Sequence, residues 1–439
     1  MTSSAGLATS QRASDPIAAP QGLPRLLESV RDDGHAASLE EHLRRYGTVQ
    51  DAATGSELIA FAEASGLGGR GGASFPTGTK LRAVASQRRP AAVVVNGVEA
   101  EPASGKDRAL LRSVPHLVLD GAVLAAGAVG AHDVIICIGG RRTEERDALL
   151  AAIAARMRNR ADGRVSVRLF IAPEGFVSGE ETALIQFLNG GPAKPTVTPP
   201  RPFERGVGGS PTLVQNVETL AHLALIARFG PAWFRELGTA AEPGTTLVTI
   251  SGAVVRPGIH EVARGAPLRE LLAAAGGASE DISAYLVGGY FGTFFANAAA
   301  DDLLLQDEDL ARRGGGLGSG VVVALPASTC AVAEVARVAA YLADESAGQC
   351  GPCVHGLRAI ANALAQVVEG NADERQRLTR WVGEIRGRGA CRHPDGATRL
   401  IASALDVFAH DVEQHLRYGR CAVADRNVLP TLQRQSGRP

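Results

Sequence analysis

The chain has 439 residues, of which 45% are hydrophobic, and a formal net charge of -1; that length fits about three globular domains with real cores. Near-neutrality leaves no electrostatic footprint for nucleic acid or for an anionic membrane surface, and neither is an expected partner. Residues 1–20 have neither the basic start nor the apolar core of a secretory signal and read as a disordered extension, which makes the cytoplasm the expected compartment.

Residues 20–65 alternate charged and apolar positions at helical spacing and predict two or three helices, the last with Thr54 as N-cap. The stretch GLGGRGGASFPTGTK (66–80) follows, with six glycines in fifteen residues. Such a cluster persists only where the backbone bends unusually or lies close to something. A short helix is predicted near 80–87, a buried strand at 91–99, helical segments over 106–128 interrupted near Pro115, a strand at 132–139, a helix at 143–160 and a strand at 164–173. The apolar run 115–140 is broken by Asp120, His132 and Asp133 and reads as a buried helix and strand, with no direct membrane span. A short helix at 179–190, a Pro/Gly-rich loop at 196–211 and an amphipathic helix at 211–230 follow. This alternation of strand and helix predicts a parallel, helix-covered sheet.

From about residue 243 the pattern changes. A hairpin over 245–262, a helix at 265–277, one strand at 283–295 and another at 318–327 predict a small β-grasp-like unit. The remainder, from Cys330 onward, reads as a helical bundle. The expected units are thus 1–48 (an extension, disordered then helical), 49–240 (α/β), 241–322 (β-grasp-like) and 323–439 (helical bundle).

Four features carry chemistry. Gly66, Gly68 and Gly71 fit G-x-G-x-x-G, but the dinucleotide fingerprint requires a preceding strand, and a helix precedes this one. What remains is a run of unencumbered N–H groups beside Lys80, a nest for a phosphate or the electron-rich edge of a flavin; a tight interdomain turn is the plain alternative. Lys80, Lys106 and Lys194 are the sole lysines among 45 Lys+Arg, all in Gly/Pro-rich segments, as expected where a compact ammonium is needed and a planar guanidinium does not serve. Glu99 and Glu101 follow the 91–99 strand, at the carboxyl end where open α/β sheets bind ligands. Glu180 and Glu181 open a helix, where the dipole alone favours acids. Finally, six cysteines are too sparse for a disulfide scaffold, and Cys350-x-x-Cys353 with Cys391 38 residues on suits thiolate ligation of iron–sulfur or zinc, one ligand short of a standard set. Cys137 and Cys330 are expected to pack, and Cys421 is a distant ligand or nothing.

In order, GRGGASFPTGTK, NGVEAEPASGKDR, GEETALIQFLNG, KPTVTPPRP, GGSPTLVQNVET, SGAVVRPG and ESAGQCGPC resemble the flavin-binding NADH dehydrogenase subunit of respiratory complex I and its relatives in formate dehydrogenases and bidirectional hydrogenases, over roughly residues 45–410. The resemblance implies FMN in a Rossmann-like domain, a β-grasp soluble-ligand-binding (SLBB) domain and a four-helix bundle holding a [4Fe–4S] cluster. Position by position it implies FMN contacts at Gly69, Gly71, Gly72, Lys80, Asn96, Glu99, Gly179, Glu180 and Asn216, and an NADH side at Phe75, Glu101, Phe176 and Thr219, with Arg70, Glu181, Arg201 and Gln215 completing the cofactor set. Cys350, Cys353 and Cys391 match the cluster ligands, and no side-chain nucleophile is implied, because the hydride chemistry belongs to the flavin.

The departures mark a divergent member rather than the complex I subunit proper. Ala347 stands where the family has a cysteine, so His355, Cys421 or solvent completes the cluster, or the cluster has three irons or is lost. Arg201 replaces the adenine-stacking phenylalanine; a guanidinium also stacks and attracts a 2′-phosphate, which admits NADPH beside NADH. Val98 replaces an acid, Ala83 an aromatic residue and Gln215 an asparagine. The expected function is an FMN oxidoreductase taking hydride from NAD(P)H and passing electrons to a protein acceptor, such as a 2Fe–2S thioredoxin-like subunit or a membrane redox partner. A flavin-free docking or ligand-binding component is the alternative, and a zinc-binding structural protein a third.

Overall fold

The computed structural model describes residues 19–31, 36–421, 423 and 426–431; the expected disorder of residues 1–18 lies outside them. Short apolar runs rich in β-branched residues form a four-stranded parallel sheet: β1 Ala92–Gly97, β2 Asp133–Gly139, β3 Ser166–Ala172 and β4 Thr212–Asn216, in the order β3-β2-β1-β4. The chain winds outward from β1 through β2 to β3, then crosses back to lay β4 on the other side of β1. The direction of winding therefore reverses between β1 and β4.

β4 corrects the sequence expectation, which ran a helix over 211–230. Thr212–Asn216 is strand, and the helix occupies Val217–Phe234. Four consecutive buried residues, Thr212 to Gln215, carry no periodicity that separates strand from helix. The break is made by Asn216, whose side chain caps the helix by accepting from the Glu218 and Thr219 N–H groups. That helix is buried all round to Ala227 rather than amphipathic, and it crosses the Pro115–Val129 helix closely: a Cβ on Gly121 would lie 1.9 Å from the Leu220 carbonyl oxygen. These helices, with Gly55–Ser65 and Thr143–Arg158, bury one face of the sheet in the main core.

The second sheet has the order β6-β5-β9-β7-β8, from β5 Thr245–Gly252, β6 Gly258–Ala263, β7 Ile282–Val287, β8 Thr293–Ala296 and β9 Val321–Pro326, with the Leu268–Ala274 helix between β6 and β7. The single strand expected over 283–295 is two, because Gly288 and Gly289 take positive φ (99° and 77°) and reverse the chain. β9 runs on to Pro326, past the boundary expected at 322, and we place the division between Pro326 and Ala331. The bundle comprises Ala331–Asp344, a π turn at Pro352–Leu357 leading into Arg358–Val368, Asp373–Ile385 and His393–Val407, with Ala409–Tyr418 as a short fifth helix.

Leu39–Tyr46 and Gly55–Ser65 supply two of the helices expected before residue 66; Thr54 occupies the N-cap position with no hydroxyl bond. Residues 19–31 form none, and their backbone is held by tertiary contact instead: one Glu261 carboxylate oxygen accepts from the N–H groups of Arg25, Leu26 and Leu27 at 2.8, 2.8 and 3.1 Å. Among the described residues no single helix is long and apolar enough to cross a membrane; Lys106–Ser113 and Pro115–Val129 together have the length but bend by 97°.

Candidate functional site

An open parallel sheet binds ligands at the carboxyl ends of the strands flanking its winding reversal. Here those strands are β1 and β4, and their register sets Asn96 beside Asn216. Asn96 Nδ2 donates to the Gly179 carbonyl at 2.8 Å, and Asn216 Nδ2 donates to Asp107 Oδ2 at 2.6 Å. By strand alternation the pair shares its face with Val94, Val98 and Val214, which pack in a small cluster with Leu184 and Ile185 of the Glu181–Leu188 helix. The opposite face bears the main core, so the thinly covered face is the one with room for a ligand.

The glycine loop closes on this pair. Gly66 ends the preceding helix in the left-handed conformation (φ 71°). The Gly69 N–H donates to Phe75 O, and the Thr77 N–H to Leu67 O, both at 2.9 Å, while Arg70 N–H donates to Thr219 Oγ1 at 2.8 Å. A Cβ on Gly71 would lie 3.3 Å from Asn216 Cβ, and one on Gly179 3.3 Å from Val98 Cβ. Bare main chain thus packs directly on the strand-end residues, where any side chain would press on them. Gly72, at φ 104°, lies against Gly318 of the second sheet's last loop. Gln215 Nε2 is buried without a partner, a donor left for an acceptor the chain does not supply. Lys80 Nζ stands 2.9 Å from Glu181 Oε1, partly exposed, and Glu180 caps that helix by accepting from the Thr182 and Ala183 N–H groups at 3.0 Å. These features fit a planar, polar-edged group bearing a phosphate.

Beneath the loop lies a buried ionic network that the sequence only half disclosed. Lys106 Nζ meets Asp107 Oδ1 at 2.7 Å and Glu218 Oε2 at 2.9 Å. Glu218 Oε1 accepts from Leu247 N–H at 2.8 Å, and Arg70 Nε lies 3.9 Å from it. Burial pushes the Glu218 carboxyl up, but Lys106, His222 and Arg70 hold it well below the usual range. The scarcity of lysine singled out Lys106; nothing in the pattern marked Glu218. Lys194 is exposed.

The two acids after β1 take different roles. Glu99, at φ 42°, accepts from Ser104 Oγ, Asp107 N–H, Arg108 N–H and Arg108 Nε at 2.7–3.1 Å, so its carboxylate anchors the start of the Lys106–Ser113 helix rather than standing open to the crevice. Glu101 reaches the second sheet, accepting from Tyr290 N–H at 2.8 Å and Ala103 N–H at 3.3 Å. Burial pushes its carboxyl up to about 7 against those two bonds, with the Glu99 charge adding to the rise. Phe75 is half exposed, and Arg201 lies on an exposed loop with its backbone N–H donating to Glu204.

Phe176 joins the crevice to the bundle. Its ring stands edge-on to Phe291 and His393 at centroid distances of 4.9 and 5.7 Å, and its N–H donates to Glu345 at 2.9 Å. Cys350 and Cys353 open the π turn. Burial pushes the Cys350 thiol up, but N–H groups of Ala390 and Cys353 hold it below the ordinary value, which brings the 390–391 segment onto the C-x-x-C turn. Cys353 is pushed up to about 12 by burial and by its neighbour thiols, and Cys391 is raised by burial and then by the Glu180 carboxylate. The three cysteines therefore share one place, next to the loop that ends at Glu180. The buried position of Ala347 offers no donor, and His355 is exposed. Cys421 is excluded as a substitute ligand: it lies within 4.8 Å of Cys330 and His415, at the far end of the Ala331–Asp344 helix, about 20 Å long at 1.5 Å per residue.

The chain matches the Nuo51 FMN-binding domain over residues 62–225, an SLBB domain over 247–287 and the NADH-ubiquinone oxidoreductase-F iron-sulfur binding region over 333–415. It is 33% identical to an F-type subunit of the NADH-quinone oxidoreductase of Rhizobium meliloti, over 87% of this chain and 92% of that one. It is 32% identical to the F-type subunit of the NADH-quinone oxidoreductase of Mycobacterium tuberculosis, over 89% of this chain and 92% of that one. Among solved structures it is similar to a chain of an NAD+-reducing [NiFe]-hydrogenase in the H2-reduced state, with TM-score 0.77 and 31% identity over 82% of this chain and 62% of that one.

Proposed function

Because the chain belongs to the family of F-type subunits of NADH-quinone oxidoreductases, we propose that the β1/β4 crevice binds FMN, that NADH delivers hydride there, and that electrons leave through a cluster held by Cys350, Cys353 and Cys391. The observation that carries this reading is the bare main chain of Gly71 and Gly179 against Asn216, Val98 and Asn96 at the winding reversal. When bound, the flavin supplies the atom that accepts hydride and parts with two electrons singly.

The chain's own groups bind and orient. With the Gly69 and Arg70 N–H groups engaged within the protein, the Gly71 and Gly72 N–H groups and the Lys80 ammonium would meet the phosphate and polar edge, while Asn96 and Asn216 fix the crevice walls from adjacent strands. Arg70, packed under the loop with its guanidinium donating to Thr245 O at 2.9 Å, holds the loop in place. Glu101 and Phe176 form the nicotinamide side, with Glu101 changing charge near neutral pH. The segment from Phe176 to Glu180 links the crevice to the cysteines and shortens the outward path for electrons.

Three cysteines and the donorless Ala347 leave one cluster iron without a protein ligand, so this cluster loses iron more readily than a four-cysteine one. The chain works as one subunit of a larger redox complex; a 2Fe–2S thioredoxin-like subunit is the proposed acceptor. Anaerobic purification with FMN, iron and sulfide counted on one sample tests the reading. About one FMN per chain, with visible absorbance bleached by NADH, is expected. Failure to incorporate flavin on reconstitution overturns it.

A further inference from the structure

We propose that Cys330, His415 and Cys421 form a second metal site, structural in role, for a thiophilic divalent cation of the zinc type. The three come from separate places: Cys330 is the N-cap of the Ala331–Asp344 helix after β9, His415 lies in the last turn of the Ala409–Tyr418 helix, and Cys421 follows that helix. Their ligand atoms all fall within 4.8 Å of one another, with Cys330 Sγ 3.1 Å from His415 Nε2. Tetrahedral zinc, with Zn–S about 2.3 Å and Zn–N about 2.0 Å, sets such atoms about 3.5–3.8 Å apart. The sulfur–nitrogen distance of 3.1 Å is a few tenths of an ångström shorter than that, and the other two spacings lie below 4.8 Å.

The imidazole is already oriented for ligation. His415 Nδ1 lies 2.7 Å from the Val368 carbonyl oxygen; a carbonyl only accepts, so Nδ1 carries the proton and the Nε2 lone pair faces the sulfur. Metal-bound histidines are held in this way, with the outer N–H on a carbonyl. Cys330 and His415 are 2% and 3% exposed. Binding displaces two thiol protons to solvent, and two thiolates with a neutral imidazole balance a divalent cation, which leaves no net charge to bury. Cys421 also lines a cavity of about 350 Å³ with His410, Asp411 and Gln414, and the proposal draws its fourth ligand from that cavity.

Such a site anchors the end of the described chain. Beyond Cys421, Val428 and Leu429 N–H groups donate to Glu334 at 3.0 and 2.6 Å, Arg426 donates to Glu280 at 3.2 Å, and the Tyr290 hydroxyl donates to the Pro430 carbonyl. This strap crosses from the bundle onto the second sheet, and a metal at Cys421 fixes where the crossing starts.

The test is metal counting on the purified full chain, independent of flavin and activity. About one zinc per chain is expected, with zinc-edge X-ray absorption of the wild type fitting two sulfur neighbours and one imidazole nitrogen. Cys421→Ser and His415→Gln should each lower the zinc content about tenfold with iron and FMN unchanged, and Cys350→Ser should leave zinc in place. Absence of zinc after zinc-replete growth, zinc retained in Cys421→Ser, zinc lost with Cys350→Ser, or a Cys330–Cys421 disulfide in the purified chain would each overturn the proposal. Should the variants misfold, the absorption spectrum of the wild type decides.

Discussion

Gly121 and Gly127 lie in one helix, Pro115–Val129, and replacing each with alanine should change stability in opposite directions. Alanine raises helix propensity by about 1 kcal/mol at either position. At Gly127 nothing lies within 4 Å of the new Cβ, so the gain stands alone. At Gly121 the Cβ would lie 1.9 Å from Leu220 O and 2.5 Å from its carbonyl carbon, whereas carbon and oxygen stand about 3.3 Å apart in ordinary close contact. The struck atoms are backbone, so the two helices must part by more than 1 Å or so, at the upper end of the overpacking range, about 3 kcal/mol. The net loss is roughly 2 kcal/mol, or about 4–8 °C in the melting temperature of a unit this size. The displaced helix begins at Val217, beside Asn216 and Thr219, so Gly121→Ala should also weaken FMN binding while Gly127→Ala does not. Differential scanning calorimetry and flavin titration read both. Equal melting temperatures for the two variants, or a Gly121→Ala chain as stable as wild type, would refute the close-crossing argument.

Glu101 predicts a pH dependence: its native carboxyl keeps the proton up to about 7 against an ordinary 4.5, so the native state binds the extra proton and stability falls as pH rises across that interval, by roughly 3 kcal/mol in all. Glu101→Gln should remove this slope from melting temperatures taken between about pH 5 and 8, and parallel profiles would contradict it. Lys80→Met breaks only a partly exposed pair with Glu181, so stability should change by less than about 1 kcal/mol while the FMN dissociation constant rises about tenfold; unchanged flavin affinity by fluorescence titration would count against the phosphate role. Ala347→Cys should restore a fourth thiolate and slow iron loss in air several-fold, followed by the decay of cluster absorbance, and an unchanged decay would place Ala347 away from the cluster.

Much of this molecule is legible along the chain. The Val-rich run at β1, the Ile-rich run at β2 and the glycine break after the Leu268–Ala274 helix are local effects of burial and backbone freedom, and the motif order carries the family. β4 is not legible, because four consecutive buried residues show no period, and what makes them a strand is β1 alongside. With β4 comes the winding reversal, so the crevice itself is a product of topology. Glu99 and Glu101 look equivalent in sequence, two residues apart at one strand end, yet one anchors a helix and the other crosses to Tyr290 and shifts upward in pKa. Cys330 reads as packing until the fold brings an imidazole from 85 residues away to 3.1 Å from its sulfur. Composition and spacing determine which elements form and which chemistry they carry. Which groups meet, and in what dielectric, is set by long-range pairing, whose partners the local sequence does not name.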